Sequence, residues 1–170
     1  MGGFPNPRDC SKCICPGGYG GRLCDERPSG CGEILTATSQ GKTLQYTLGK
    51  RGSSLNDYEF CHFWIKAAKK GEKVQIRLKN VFSQFVSDGC TPGGVEIKAQ
   101  RDQGLTGYRF CRQSNAFRAF LSEVDNVPVI LYRDRGEISL ACPICNNFSL
   151  KDKGTRSPST SYELCVFACI

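Results

Sequence analysis

Cysteine has the most chemistry to offer in this sequence: 170 residues carry 12 cysteines against a single histidine. Cys142-Pro143-Ile144-Cys145 has the spacing of a redox dithiol, which needs a low-pKa thiolate at a helix N-terminus. The following Asn146-Asn147-Phe148-Ser149-Leu150 reads instead as a turn and a strand. The same pair could be half of a zinc knuckle with Cys10 and Cys13, or with Cys165 and Cys169. Structural zinc wants four ligands at characteristic spacing, and the spacing to either partner pair is poor. The remaining reading makes Cys142, Cys145, Cys165 and Cys169 extra disulfide cysteines, tying the tail to the loop before the last strand. An even count permits full pairing, and an oxidising compartment is where so many thiols become staples. The chain therefore reads as secreted and extracellular. Met1-Gly2-Gly3-Phe4-Pro5 has no feature of a signal peptide. A fragment, with its export signal encoded upstream, is the favoured explanation.

The other polar features are less specific. His62 follows Cys61 and reads as structural or surface. Strand alternation places His62 and Trp64 on one face and Phe63 and Ile65 on the other, with Trp64 read as core rather than ligand-binding. The formal net charge is +7. Lys66, Lys69, Lys70 and Lys73 read as a solvated turn, with attraction of an acidic glycan as the alternative. No aromatic interleaving suggests nucleic acid, and no apolar run is long enough to span a membrane. Asn147-Phe148-Ser149 is an N-glycosylation sequon, which makes Asn147 a candidate acceptor.

The elements that must position these residues are short. Residues 1–25 are rich in Gly, Pro and Cys and too poor in apolar side chains to make a core, so disulfides must hold them. Residues 26–30 read as a linker. Beyond Cys31, residues 73–79, 94–98, 127–131 and 136–140 alternate or run apolar between turn signals, which predicts an antiparallel β-sandwich and a mainly β chain. Pro128 is expected at an edge or a strand start. No amphipathic helix is evident. The sandwich is expected over 31–153 and a tail over 154–170.

Two cysteine patterns carry a family resemblance. Cys13-Ile14-Cys15, then Pro16-Gly17-Gly18-Tyr19-Gly20-Gly21 and Cys24, resembles the C-terminal half of an EGF-like module. That resemblance implies a Cys15–Cys24 bond and leaves Cys10 and Cys13 unpaired or mispaired, because the first two cysteines of the module are missing. Residues 1–14 are then expected to be loose. Cys31-Gly32, Cys61-His62-Phe63-Trp64-Ile65, Cys90 and Cys111 resemble a CUB domain, which implies Cys31–Cys61 and Cys90–Cys111. Each would close a loop of ~20–30 residues, worth roughly 3–4 kcal/mol in the chain-entropy model. Together the two patterns resemble the EGF-like plus CUB region of nematode astacin zinc metalloproteases. The peptidase site of such enzymes needs three histidines and a glutamate, and one histidine cannot supply it. The resemblance thus implies a non-catalytic region with no cofactor of its own, binding an extracellular protein or matrix component. A stand-alone secreted CUB binding protein is the alternative, and an intracellular zinc- or redox-handling protein a third reading. Many CUB domains also bind calcium through clustered acids. Here Asp134 matches one such position, Asp57 or Glu59 could supply another, and a third is occupied by Gly93, which weakens the site.

Overall fold

The structure is a computed structural model that describes residues 2–112 and 119–147. Two strands organise it. β4 (Lys42–Lys66) and β10 (Asn126–Asn147) pair antiparallel from Lys66 opposite Asn126 to Lys42 opposite Ile144. Register breaks at Arg133/Arg135 and Arg135/Glu137 divide this long ladder in two.

Each half supports one leaf of a sandwich. In the first leaf β3 (Ile34–Thr36) lies parallel to the end of β4, and the start of β10 pairs with β7 (Gly93–Ile97), which carries β8 (Tyr108–Phe110). In the second, the end of β10 pairs with β6 (Asn80–Ser83) and β5 (Lys73–Arg77), and β5 carries β9 (Ala119–Leu121). The predicted strands 127–131 and 136–140 are therefore one strand interrupted by bulges, a usual way to bend a ladder between layers.

The leaves enclose one core. Phe63, Ile65, Val95, Val129 and Leu131 meet Leu44, Ile76, Ile138, Leu140 and Ile144. Val74, Ile76 and Leu78, read from their alternation, are fully buried. Burial of such side chains contributes about 1.5–3 kcal/mol each and is the main term holding the leaves together.

The bend is pinned by Arg133, which is only 6% exposed. Its Nε donates to Glu59 Oε2 at 2.8 Å, Nη2 forms an ion pair with the same oxygen at 2.7 Å, and Nη1 donates to Ser53 Oγ and the Gly136 carbonyl, both at 2.8 Å. The guanidinium lies where a side chain at Gly49 would have to go.

Pro128 is buried in β10 between β4 and the chain after β7, not at an edge. Its carbonyl accepts from Lys98 N at 3.0 Å. Proline has no N–H to return. The Lys98 carbonyl is instead met by Gln103 Nε2 at 3.2 Å.

The N-terminal segment also differs from expectation. Residues 1–14 were expected to be loose, but β1 (Phe4–Asn6) and β2 (Asp9–Ile14) form an antiparallel pair. Cys13 N donates to the Arg22 carbonyl at 2.9 Å, joining β2 to the following loop. The 26–30 linker is tied as well: Arg27 Nη1 donates to the carbonyls of Cys31 and His62 at 3.0 and 3.2 Å.

Candidate functional site

Tyr19 and Trp64 join the N-terminal loop to the outer face of the first leaf. Alternation along β4 turns Phe63 and Ile65 inward and Trp64 outward, yet Trp64 is only 4% exposed because Tyr19 covers it, with ring centroids 5.4 Å apart. Trp64 Nε1 donates to the Gly18 carbonyl at 2.8 Å. Its place is thus under the N-terminal loop, not in the core between the leaves. Tyr19 Oη donates to Gln103 Oε1 at 2.9 Å, and burial pushes its phenol up to about 12. Lys98, 1% exposed, donates from Nζ to the carbonyls of Gly17 and Gln103 at 3.0 and 2.6 Å. Burial lowers its pKa, against smaller raising effects of Glu96 and Asp102.

Beside this junction a cleft of about 440 Å³ opens on the same face. Gly17 and the 104–106 loop form one wall, and β4, β7, β8 and β10 supply the rest. Tyr58 and Phe60 from β4 meet Tyr132 from β10, with ring centroids 6.0 to 6.4 Å apart. Phe60 stacks on His62 at 5.9 Å. The His62 Nδ1 is buried without a hydrogen-bond partner, and burial, with a smaller contribution from Arg27, lowers the imidazole pKa. Arg109 from β8 lies over the Tyr132 ring at 5.3 Å and donates from Nε to Glu96 Oε2 at 2.9 Å. Glu96 Oε1 accepts from Gly107 N at 2.9 Å. The arrangement offers apolar surface and one oriented cation. It contains no nucleophile–base pair of the kind that covalent catalysis needs.

Comparison with known proteins gives the chain its context. It is 46% identical over 132 residues to zinc metalloproteinase nas-31 of Caenorhabditis elegans, which covers 77% of this chain and 21% of that protein. It is 41% identical over 114 residues to zinc metalloproteinase nas-32 of the same organism, which covers 65% of this chain and 17% of that protein. The chain is related to a non-catalytic region of nematode astacin-type zinc metalloproteinases. It spans about a fifth of the length of these two relatives. No family model matches it. Among solved structures, the CUB1-EGF-CUB2 domains of rat MASP-1 align with 85% of this chain and 46% of that chain at 13% identity, with a TM-score of 0.46. The β-sandwich of the described residues therefore belongs to a region related to part of these metalloproteinases.

The cysteines sort by position. Cys15–Cys24, Cys31–Cys61 and Cys90–Cys111 are bonded in the structure. Cys10 and Cys13 carry no bond. Cys142 carries no bond to a described residue and is fully buried among core side chains, while the tail cysteines expected to pair with it lie outside the described residues. Burial pushes it up to about 12. The physical reason is alternation, since position 142 shares the inward face with Leu140 and Ile144. Cys145 lies in β10 opposite Gln75, so the whole Cys-x-x-Cys is strand. The side chain of Cys145, and Cys165 and Cys169 entirely, lie outside the described residues. Asn147 ends β10 opposite Lys73, and the rest of its sequon lies outside them too.

The calcium candidates do not converge. Glu59 is held by Arg133, Asp134 is bonded by Arg135 at 3.0 Å, and Asp57 accepts from Tyr58 N at 2.7 Å. Asp134 is held below the usual carboxylate range by its hydrogen bond with Arg135. A Cβ at Gly93 would lie 2.9 Å from both the Tyr132 carbonyl oxygen and Ile138 Cδ1, so no acid fits there without a shift. Among the described residues no group of three or more His, Cys, Asp or Glu could hold a metal ion. The cleft itself was missed in the sequence, because its lining is scattered over four strands and several loops. The only available hint was the aromatic run around Cys61.

Proposed function

We propose that this chain is the extracellular, non-catalytic binding region of a secreted astacin-type zinc metalloendopeptidase, and that it positions the peptidase on a protein substrate or matrix component. The supporting observation is an open aromatic cleft on a domain related to a non-catalytic part of such enzymes. Apolar area left uncovered in a concavity, with a few placed polar groups, is characteristic of a binding site. Three bonded cysteine pairs suit an oxidising compartment.

A chimera tests this. The matching segment of nas-31 is deleted and replaced by this chain, and cleavage of a protein substrate is compared with cleavage of a short peptide. Deletion should raise KM on the protein substrate only, and the graft should restore it. Unchanged KM after deletion, or equal losses on both substrates, would overturn the proposal.

A further inference from the structure

The polar atoms of the cleft are unevenly committed. Tyr58 Oη donates to the Thr91 carbonyl at 2.8 Å, and Tyr132 Oη donates to the Cys90 carbonyl at 3.1 Å. Both tyrosine hydroxyls are thus turned into the protein, and both oxygens of Glu96 are engaged. What remains is mostly hydrocarbon and one exposed cation, with the unpartnered His62 Nδ1 buried beneath and Thr106 on the loop. Phe60 is 49% exposed, Tyr58 is 38% exposed, and the Arg109 side chain is 44% exposed. Arg109 commits Nε to Glu96 and lies over the Tyr132 ring, which positions the fork, and among the described residues no hydrogen bond engages its terminal nitrogens. A guanidinium oriented in this way is matched by a carboxylate, which it can bind through two parallel hydrogen bonds.

We infer that the cleft receives an acidic side chain of an extended peptide, with the carboxylate on Arg109 and a neighbouring aromatic or aliphatic side chain on Tyr58 and Phe60. This rests on the binding reading above and names its ligand chemistry. A glycan is the weaker occupant. Its hydroxyls need several convergent donors and acceptors, and the two tyrosine hydroxyls and the Glu96 carboxylate are already bonded within the protein. Charge agrees with an anionic ligand: the chain is +7 overall, and Lys98 and Arg109 outnumber Glu96 at the cleft.

The test titrates the isotope-labelled 170-residue chain with three probes followed by amide NMR. The probes are an acetylated and amidated tetrapeptide Gly-Phe-Glu-Gly, its Gly-Phe-Gln-Gly counterpart, and a heparin tetrasaccharide. The acidic peptide should shift the amides of Phe60, His62, Arg109 and Tyr132. Its glutamine counterpart should bind about tenfold more weakly, the loss of one charge-assisted contact. Arg109→Gln should abolish that difference, and Phe60→Ala should weaken both peptides alike, with the unperturbed remainder of the spectrum reporting the fold. Equal binding of the two peptides, shifts confined to another face, or stronger perturbation of the cleft by heparin would each overturn the inference. The chimera separates the two ideas: rescue of KM by a graft carrying R109Q would sink the cleft and leave the positioning role standing.

Discussion

Cys142 and Arg133 are buried groups of the sandwich whose chemistry runs against their surroundings. Only a thiolate reacts with alkylating agents, and burial holds Cys142 protonated. Cys142 should therefore stay unmodified by iodoacetamide in the native protein at pH 8, while exposed Cys10 reacts, and should become reactive only in denaturant. Mass mapping that found Cys142 labelled as fast as Cys10 would refute its placement. Arg133→Met should cost about 2–3 kcal/mol, since it removes charge-assisted bonds to Glu59, Ser53 and the Gly136 carbonyl. Denaturant melts read this directly. His62 makes a pH prediction. Its pKa is depressed in the folded state from the ordinary 6.5, so the unfolded chain binds the proton more readily below that value. Stability should then fall as pH drops below about 6.5, and rise with pH through the same window. His62→Phe should flatten that slope between pH 5 and 6.5, above the range where carboxylates titrate.

At the level of elements, the strands were easier to read than their partners. Val74, Ile76 and Leu78 announce their inward face by alternation alone, because a half-buried strand repeats every two residues. Alternation separated Trp64 from Phe63 and Ile65 but did not say which face is inward, and the cover over Trp64 was not legible because Tyr19 lies 45 residues earlier and no local pattern joins them. Gln103 was equally silent. Its role follows from the N–H that Pro128 lacks, a deficit visible only once Lys98 is known to face it. The N-terminal pair of strands escaped notice because cysteine counting suggested missing staples, while residues 17–27 after it are tied to the sandwich by contacts of Tyr19 with Trp64, Gly17 with Lys98 and Arg27 with His62. These contacts can be tested as a unit. Trp64→Ala removes the ring, its bond to Gly18 and the packing of Tyr19, a loss of roughly 3–5 kcal/mol for a buried tryptophan. Proteolysis within residues 26–30 should accelerate sharply in this variant while the sandwich stays intact. Simultaneous cleavage of both parts would mean that the loop and the sandwich are not separable.

For the molecule as a whole, cations already supplied by arginine make an added divalent ion redundant. Glu59 and Asp134 are neutralised by Arg133 and Arg135, so neither calcium nor a chelator should move the thermal midpoint. A rise in Tm on adding calcium would show a site that these contacts do not reveal. The ladder between β4 and β10 has a further consequence, in the order of synthesis. Its partners stand roughly sixty to a hundred residues apart, a separation that makes closure slow. β10 is also the strand that pairs with β4 in both leaves, and it is the last of the described strands to leave the ribosome. Until it does, β5, β6 and β7 have no central partner. The nascent chain must therefore wait, with its apolar strands uncovered, for residues 126–147 to emerge. A chain stopped at residue 125 should show no protected sandwich in amide exchange, and the compartment that makes the protein must shelter β4 to β7 without their central partner before the first leaf can close.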